Sequence, residues 1–581
     1  MPDWFYRTVA RPILFRLNDR SARVLALGTV GTLGKFTLGR RVIEFLGHMA
    51  PDPRLTVQVG ELRFVSPLGL GWRIDPERRA LRALAEFGAG FLVIDENERS
   101  VSRAPEFCLA EVDGRLPRKG SLDTRLPIPV LRFPAGSPHT LVWPDGRITP
   151  VIPWDLPANS GEPYEHGVVL QCGQTDLSGR QIVDARRPSD LVNQIRKWRS
   201  ALGHAPIVVA DGVLGPEDAA ALVGAGATLL LVEAGLIYAG PGLVKRSNEA
   251  LLARAHSNES RAAENQNPTP EMAVFRHAWI WICLLGSALT LGGIAATLLS
   301  FTRVLLPYDE NYLHLSADQL HRTLPRLFAF MAHDRGTLSG VMLGLGLFYI
   351  VVGHAGARRG VHGAKGIITT SALFGFASFF AFFGFGYFDT LHAFVAAILF
   401  QLTIQILVGA SGPASESPVP IDVEDSAWRL GQWGQLLWLI HAVGLLIAGL
   451  TILSIGISFV LVKEDLAFLC TTRAALAGLG SDLFGVVAHD RATLGGMLLS
   501  SGTAMLMLLL WCFRKGRAWV WWAILLLGAP AYGAALGVHF WVGYIDWHHL
   551  APAFAGVGLW LGGLGLSYRY LHTAASRSRA N

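Results

Sequence analysis

Long apolar runs fill the second half of this chain, and they constrain its fold more than any other feature. Each run approaches the roughly 20 residues that a helix needs to cross the apolar core of a bilayer. We count eight of them, at residues 278–300, 337–354, 366–386, 391–409, 434–461, 494–513, 518–541 and 550–570. The pattern predicts an all-α transmembrane domain, and it makes the lipid bilayer the first expected partner.

A repeated pair of motifs divides this apolar half in two. The tripeptide His-Asp-Arg occurs twice, 156 residues apart, and Gly-Tyr-x-Asp-x-x-His recurs at nearly the same offset. The offset predicts two parallel repeats of four helices each, at residues 277–410 and 433–572, joined by the loop 411–432. The ionisable members are His333, Asp334, Arg335, Asp389 and His392 in the first copy, and His489, Asp490, Arg491, Asp546 and His549 in the second.

Basic residues near the helix ends predict the orientation of the membrane domain. They gather on one side, at residues 358–365, 514–517 and 569–579. By the positive-inside rule this side faces the cytoplasm, which also takes the first half of the chain and the C-terminus. The predicted location is a plasma membrane of the bacterial type, with both pairs of motifs at its outer face.

The motifs at the outer face are open to three interpretations. They can form a structural clamp of hydrogen bonds and salt bridges, a metal site, or a site that handles protons or quinone. We expect His333 and His489 each to open a helix, and each four-helix unit to gather its own histidines. His441 and His539 have no counterpart in the repeat, and we interpret them as packing or hydrogen-bonded histidines. The candidate ligands of a metal ion are His333, Asp334, Asp389, His392, His489, Asp490, Asp546 and His549.

Residues 1–265 have a different character and carry most of the charge. The net charge of +6 comes without a basic stripe, which argues against nucleic acid as a partner. The five cysteines form no CxxC pair, so neither a disulfide framework nor a cysteine zinc site is indicated. Alternating strands and helices indicate an α/β barrel or parallel sheet. The strand-like runs lie at 91–94, 129–133, 167–170, 206–210 and 228–232, and the helix-prone stretches at 78–87, 189–202 and 216–225.

Motifs at both ends of this half carry a family resemblance. Residues 4–17 combine aromatic and arginine residues, residues 66–70 read Ser-Pro-Leu-Gly-Leu, and residues 177–180 read Leu-Ser-Gly-Arg. Residues 235–238 read Gly-Leu-Ile-Tyr after a glycine-containing segment that begins near residue 207. Together these motifs resemble the class 2, membrane-associated dihydroorotate dehydrogenases, which are FMN-dependent TIM barrels that pass electrons to quinone. The resemblance implies amphipathic helices over 1–50, a shortened TIM-like α/β barrel over 51–258 and a linker over 259–276.

The resemblance also implies a function and a cofactor site. A flavoprotein oxidoreductase linked to quinone would bind the FMN phosphate through backbone N–H groups near Gly212, Gly235 and Leu236. The chain departs from the family where Asp211 replaces the first of two glycines, and where the catalytic loop has no counterpart. No catalytic residue carries over, so we expect the barrel to have diverged from dihydroorotate chemistry. The alternative is a non-catalytic barrel on a membrane protein whose function, in transport or in quinone or metal binding, lies in the His-Asp motifs.

Overall fold

The computed structural model describes residues 6–47, 52–71, 73–75, 79–95, 115–116, 128–134, 140–158, 164–172, 188–263, 277–361, 363–381, 386–410, 425–478, 480 and 482–573. The motif at 177–180 lies outside these residues. The chain divides into two compact units. The first comprises Met1–Gln266 with Ser417–Ile421, and the second comprises Asn267–Glu416 with Asp422–Asn581.

The first unit is built on a closed barrel of eight strands. Its described strands are β1 Val57–Val59, β2 Leu62–Phe64, β3 Leu68–Leu70, β4 Phe91–Asp95, β5 Arg115–Leu116, β6 Ile128–Phe133, β7 Thr140–Val142, β8 Ile148–Pro153, β9 Val168–Gln171, β10 Ile207–Ala210 and β11 Leu229–Val232. The barrel runs from β3 through β4 and β6 to β11, and β11 pairs back with β3. β1 and β2 form a separate hairpin, and β5 pairs with β6 at an edge. The predicted α/β barrel is confirmed.

One strand breaks the regular alternation of a TIM barrel. β7 runs antiparallel to both β6 and β8, whereas the other neighbouring barrel strands pair in parallel. Antiparallel neighbours need only a short hairpin, while parallel neighbours need a crossover of a dozen or more residues. A tight turn closes the hairpin, where the N–H of Gly146 donates to the carbonyl of Trp143 and Gly146 has φ +82°. The reversed strand therefore lets β6, β7 and β8 follow one another without a crossover.

Alternate residues of the strands face two different cores. In β10, Val208 belongs to the cluster inside the barrel, and Val209 belongs to the cluster between the strands and the surrounding helices. The hairpin of β1 and β2 adds Phe64 to the interior, where its ring meets Phe91 and Trp143 edge-on at centroid distances of 5.5 and 6.0 Å. The interior is therefore a packed core of apolar side chains.

Helices cover part of the outside of the barrel. The first unit contains α1 Arg11–Leu14, α2 Asp19–Lys35, α3 Thr37–Gly47, α4 Leu81–Ala85, α5 Pro188–Leu202, α6 Pro216–Ala225, α7 Ala234–Ala239 and α8 Leu243–Ala263. The predicted helices at 78–87, 189–202 and 216–225 correspond to α4, α5 and α6. No helix lies in the described residues between 134 and 168, where the hairpin connections replace crossovers.

The second unit is helical, and seven of its described helices are long and apolar enough to cross a membrane. Its helices are α9 Ala278–Thr302, α10 Pro307–Leu313, α11 Ala317–Thr323, α12 Pro325–Val351, α13 Ala364–Ala381, α14 Thr390–Val408, α15 Ser426–Ile457, α16 Lys463–Leu469, α17 Arg473–Gly478, α18 Asp482–Trp511, α19 Ala518–Val542 and α20 Trp547–His572. The seven are α9, α12, α14, α15, α18, α19 and α20. The third predicted run, 366–386, corresponds to α13, which is not among the seven, and residues 382–385 lie outside the described part. This unit is a membrane domain.

Glycines allow the two central helices, α12 and α18, to approach their neighbours closely. A Cβ on Gly340 would clash with the Cβ of Ala534 in α19, and a Cβ on Gly344 would clash with the carbonyl of Leu527. A Cβ on Gly496 of α18 would clash with a side chain of α13. Small residues at helix contacts are typical of membrane bundles. The close contacts bring one end of α12 beside α19, where the polar residues lie.

Candidate functional site

The two His-Asp-Arg tripeptides lie inside long helices, not at their starts. α12 begins at Pro325 and α18 at Asp482, so the expectation that His333 and His489 each open a helix was wrong. Both histidines and the aspartates that follow them are buried. Charged groups at this depth are expensive unless they have partners, so their contacts decide what the site can do.

The first cluster brings three histidines together. Nε2 of His333 lies 2.9 Å from Nε2 of His539, and the ligand atoms of His333, His539 and His549 all lie within 4.8 Å of one another. The three rings come from α12, α19 and α20. We call this cluster the His333 set.

The second cluster combines two histidines with a carboxylate. Nδ1 of His392 lies 2.8 Å from Nε2 of His489, and Oδ2 of Asp389 lies 4.0 Å from the same Nε2. Asp389 also accepts a hydrogen bond of 2.8 Å from the backbone N–H of His392 at the start of α14, and one of 2.9 Å from the hydroxyl of Tyr308. We call Asp389, His392 and His489 the His489 set.

The pairing crosses between the two halves of the membrane domain. His333 of the first half meets His539 and His549 of the second half, and His489 of the second half meets His392 of the first half. The expectation that each four-helix unit gathers its own histidines was wrong. The packing of α12 against α19, and of α18 against α13, brings the tripeptide of one half to the other half.

A carboxylate holds the central histidine of each set from behind. Nδ1 of His333 lies 3.0 Å from Oδ1 of Asp334, and Nδ1 of His489 lies 2.9 Å from Oδ1 of Asp490. Metal-binding histidines commonly donate their second ring N–H to a carboxylate, which fixes the tautomer and the ring orientation. Asp334 and Asp490, predicted as ligands, therefore lie behind His333 and His489 and outside both three-residue sets.

Arginines bind these carboxylates crosswise. Arg335 lies 2.8 Å from Asp490 and 2.7 Å from Asp309, while Arg491 lies 3.4 Å from Asp334 and 2.8 Å from Asp465. Each arginine therefore supports the histidine of the other tripeptide. Asp309 and Asp465 are fully buried. Sequence reasoning missed both, although they are also 156 residues apart.

Two tyrosines complete the network outside the spanning helices. The hydroxyl of Tyr387 donates to Asp309 at 2.6 Å, and that of Tyr544 donates to Asp465 at 2.9 Å. Burial, and then the adjacent carboxylate, raises the pKa of both tyrosines well above the ordinary value. Both phenols therefore stay protonated and act as donors. Each buried carboxylate is thus held by a guanidinium and a phenol.

The structure places His539 in one of the two sets and Asp546 outside both. His539, interpreted from sequence as a packing or hydrogen-bonded histidine, is hydrogen-bonded and also belongs to the His333 set. Its position inside a membrane helix was the signal available, since ionisable residues there are functional candidates by default. Asp546, a predicted ligand, accepts a 2.8 Å hydrogen bond from the backbone N–H of His549 and is not part of either set.

The glycines expected to bind a phosphate in the barrel face the packed core. A Cβ on Gly212 would meet the side chains of Leu191, Val209 and Leu222 at 3.1 to 3.5 Å. A Cβ on Gly235 would clash with the backbone carbonyl of the segment after β10. Leu236 is buried among the residues between barrel and helices. All three residues are therefore closely packed on the side where a side chain lies or would lie.

Two buried carboxylates occupy the same end of the barrel. Asp211 directly follows β10 and has φ +61°, and its Oδ1 accepts a 3.1 Å hydrogen bond from the N–H of Ala234 at the start of α7. Glu233 directly follows β11, 3.9 Å from Arg73. Burial raises the pKa of Glu233, Arg73 opposes this rise, and Asp211 adds to it. The resulting pKa is about 7. A phosphate here would face two carboxylates, so the residues present do not fit the phosphate of FMN.

Comparisons with known proteins identify relatives of a portion of the chain. Dihydroorotate dehydrogenase (quinone) of Nostoc punctiforme is 37% identical over 82 residues, which is 14% of this chain and 21% of that protein. The enzymes of the same name from Deinococcus radiodurans and an Anaeromyxobacter species are 45% identical over 76 residues and 51% identical over 56 residues. These matches cover 13% and 10% of this chain, and 20% and 15% of those proteins.

No protein-family model matches the chain. The chain spans about a fifth of the length of the curated relatives it matches. The N-terminal half therefore contains a portion similar to quinone-type dihydroorotate dehydrogenases, followed by a membrane domain.

Proposed function

We propose that this protein is a metal-binding membrane protein whose chemistry lies in the His333 and His489 sets. The barrel would serve as a non-catalytic module that keeps a dihydroorotate dehydrogenase-like portion. The proposal rests on one observation in the His333 set: the Nε2 atoms of His333 and His539 lie 2.9 Å apart, and the other partners of both rings favour a lone pair on each of these atoms.

The hydrogen positions in the His333 set follow from the partners of its rings. Nδ1 of His539 lies 2.6 Å from the carbonyl oxygen of Ala535, which can only accept, so this nitrogen carries the hydrogen. Nδ1 of His333 faces Asp334, and Asp334 also pairs with Arg491, which favours an ionised carboxylate and a hydrogen on Nδ1. Both Nε2 atoms then present lone pairs 2.9 Å apart. Two acceptors repel at this distance unless a cation joins them.

A metal ion satisfies this arrangement better than a single proton. A proton joins two nitrogens, whereas His549 adds a third ligand atom within 4.8 Å. Imidazole is a good ligand for zinc, iron, copper and nickel, and three protein ligands leave a position open for water or substrate. A metal bound there would supply a Lewis acid or an activated water, and the ion-paired carboxylates behind the histidines would hold the ligands in place.

Metal analysis of the purified full-length protein tests the proposal. We expect the wild-type protein to carry transition metal, and His539→Ala to lose the ion of the His333 set. His441→Ala is the matched control, because His441 is a buried membrane histidine whose Nε2 lies 2.6 Å from the hydroxyl of Tyr532, in neither set. Metal-free wild-type protein that also fails to bind added metal would refute the proposal and leave a shared proton as the explanation.

We further propose that the membrane domain is an internal duplication with its motifs at the outer face. Matched contacts support the duplication, since Tyr387 with Asp309 and Tyr544 with Asp465 are equivalent pairs. The basic residues at 358–365 and 514–517 support the orientation. Membrane-impermeant labelling of two single-cysteine variants tests it, one with His314→Cys and one that keeps the native Cys470. Both should react from outside in a background that lacks the other cysteines.

The similarity to quinone-type dihydroorotate dehydrogenases favours a second candidate function. In it the barrel would bind FMN near Gly212, Gly235 and Leu236 and pass electrons to quinone. The buried carboxylate of Asp211 at the start of α7 weighs against this candidate. The absorption spectrum of the purified protein decides it: a flavin band at one FMN per chain would support the oxidoreductase, and a colourless protein that does not bind added FMN would exclude it.

A further inference from the structure

We propose that the two metal sets are chemically different and that the protein holds a mixed pair of metals, with zinc in the His333 set and ferrous iron in the His489 set. The inference rests on the proposed metal-binding function and adds the identity of the metals. It follows from the third ligand of each set, which is His539 in one and Asp389 in the other.

The His333 set offers only imidazole nitrogens. His333, His539 and His549 supply three neutral ligands, and Asp334 stands behind the first of them. Three histidines with one open position form a common tetrahedral zinc site, in which the second ring N–H of a ligand is held by a carboxylate or carbonyl. Both kinds of support are present, since the carbonyl of Ala535 holds His539.

The His489 set offers two imidazoles and one carboxylate. Asp389 accepts from the backbone at one oxygen and directs the other toward Nε2 of His489, 4.0 Å away. Two histidines and one carboxylate with open positions are typical of non-haem ferrous sites. The carboxylate also offsets one charge of the ion, which a set of three neutral histidines cannot do.

One difference between the two halves explains why Asp389 belongs to a set and Asp546 does not: Tyr308 and Glu464 occupy equivalent positions. Tyr308 donates its hydroxyl to Oδ2 of Asp389 and so holds that side chain at the cluster. The residue 156 positions later is Glu464, which lies near Lys463 at 3.6 Å. A carboxylate cannot donate a hydrogen bond to Asp546, and it repels it. Asp546 therefore lacks the donor that Asp389 has, and His539 supplies the third ligand.

Shared ion pairs connect the two sets. The Asp334-Arg335 dipeptide serves both, because Asp334 orients His333 while Arg335 holds Asp490 behind His489. In the Asp490-Arg491 dipeptide, Asp490 orients His489 while Arg491 holds Asp334 behind His333. Removal of either arginine would therefore disturb the set of the other tripeptide, and ligand exchange is the cleaner way to test each set.

Anaerobic reconstitution of the metal-free full-length protein tests the inference. The probe is a mixture in which Fe²⁺ is in about hundredfold excess over Zn²⁺, because a given site of nitrogen and oxygen ligands binds Zn²⁺ more tightly. Both metals exceed the protein, and desalting and quantification of both metals follow. We expect about one iron and about one zinc per wild-type chain. Asp389→His should turn the His489 set into three histidines, reduce bound iron on the order of tenfold and raise zinc toward two per chain. His539→Asp should do the reverse.

The outcomes separate the inference from the proposed function. Wild-type protein that binds neither metal refutes both. Wild-type protein that binds two ions of the same metal from the mixture, or exchange variants that keep the wild-type iron-to-zinc ratio, overturns the mixed pair while leaving metal binding intact. If an exchange variant does not fold, the iron-to-zinc ratio of the wild-type protein alone decides the inference. The control variant His441→Ala should have the same ratio as the wild type.

Discussion

The buried carboxyl of Glu233 makes the stability of the barrel depend on pH. The substitution Glu233→Gln should remove this dependence. Its pKa rises from an ordinary value of 4.5 to about 7 in the folded protein, mainly because it is buried. Between these two values the folded chain holds a proton that the unfolded chain has released, so stability falls as pH increases. A rise of about 2.5 pH units, at about 1.4 kcal/mol for each, predicts a loss of about 3 kcal/mol between pH 4 and pH 8.

Glu233→Gln should abolish this part of the pH dependence, because glutamine stays neutral in both states. Pulse proteolysis in urea, performed on the full chain in detergent at several pH values, gives the unfolding free energy of the barrel. The difference between variant and wild type cancels the contributions of other groups. We expect the variant to gain up to about 3 kcal/mol relative to wild type on going from pH 4 to pH 8.

Asp211→Asn provides a second and finer comparison. Its side-chain oxygen can still accept from the N–H of Ala234, but its charge no longer raises the pKa of Glu233. The folded pKa should therefore be lower, and the fall in stability should end at a lower pH and be smaller than in wild type. Parallel pH profiles for wild type and Glu233→Gln would refute the reasoning, because the buried carboxyl could then not be the titrating group.

Three further predictions concern the membrane domain. Arg491→Gln leaves two buried carboxylates without their cation and should destabilise the domain by about 3–5 kcal/mol, seen as a lower thermal midpoint in detergent; an unchanged midpoint would contradict the ion pairs. Gly340→Ala should destabilise by about 1–3 kcal/mol because its Cβ meets α19, whereas Gly444→Ala, with nothing within 4 Å, should be neutral or stabilising in the same assay. Tyr308→Phe removes the donor to Asp389 and should weaken metal binding at the His489 set about 10-fold, measured by chelator competition; unchanged affinity would show that the hydrogen bond is dispensable.

The sequence predicted the regular barrel strands because each is a short, continuous apolar run. β4, β10 and β11 lie within a residue of their predicted positions at each end. It did not predict the hairpin of β7 and β8, since β7 has three residues and β8 contains Pro150 and Pro153. Prolines and short length argue against a strand when read locally, and only closure of the barrel makes these residues pair.

In the membrane domain, apolar length predicted the helices but placed the starts of α12, α15 and α18 eight to twelve residues too late. The apolar runs at 337–354 and 494–513 begin just after the charged tripeptides. α12 and α18 begin before the tripeptides and include them, because the charges bind one another inside the bundle. The repeat also identified most members of the network. It could not show that the histidines pair across the halves, because an offset of 156 residues is the same for either arrangement. Close approach of backbones at glycines such as Gly344 decides that question.

The crossed pairing means that neither half of the membrane domain contains all the residues of the His333 set or of the His489 set. Without the second half, His333 would lose His539 and His549. Without the first half, His489 would lose Asp389 and His392. A gene for one half alone could build these clusters only when two copies of its product came together, and every mutation would then alter both at once. Joined in one polypeptide, the halves can change separately, and this freedom allows one cluster to acquire His539 while the other keeps Asp389.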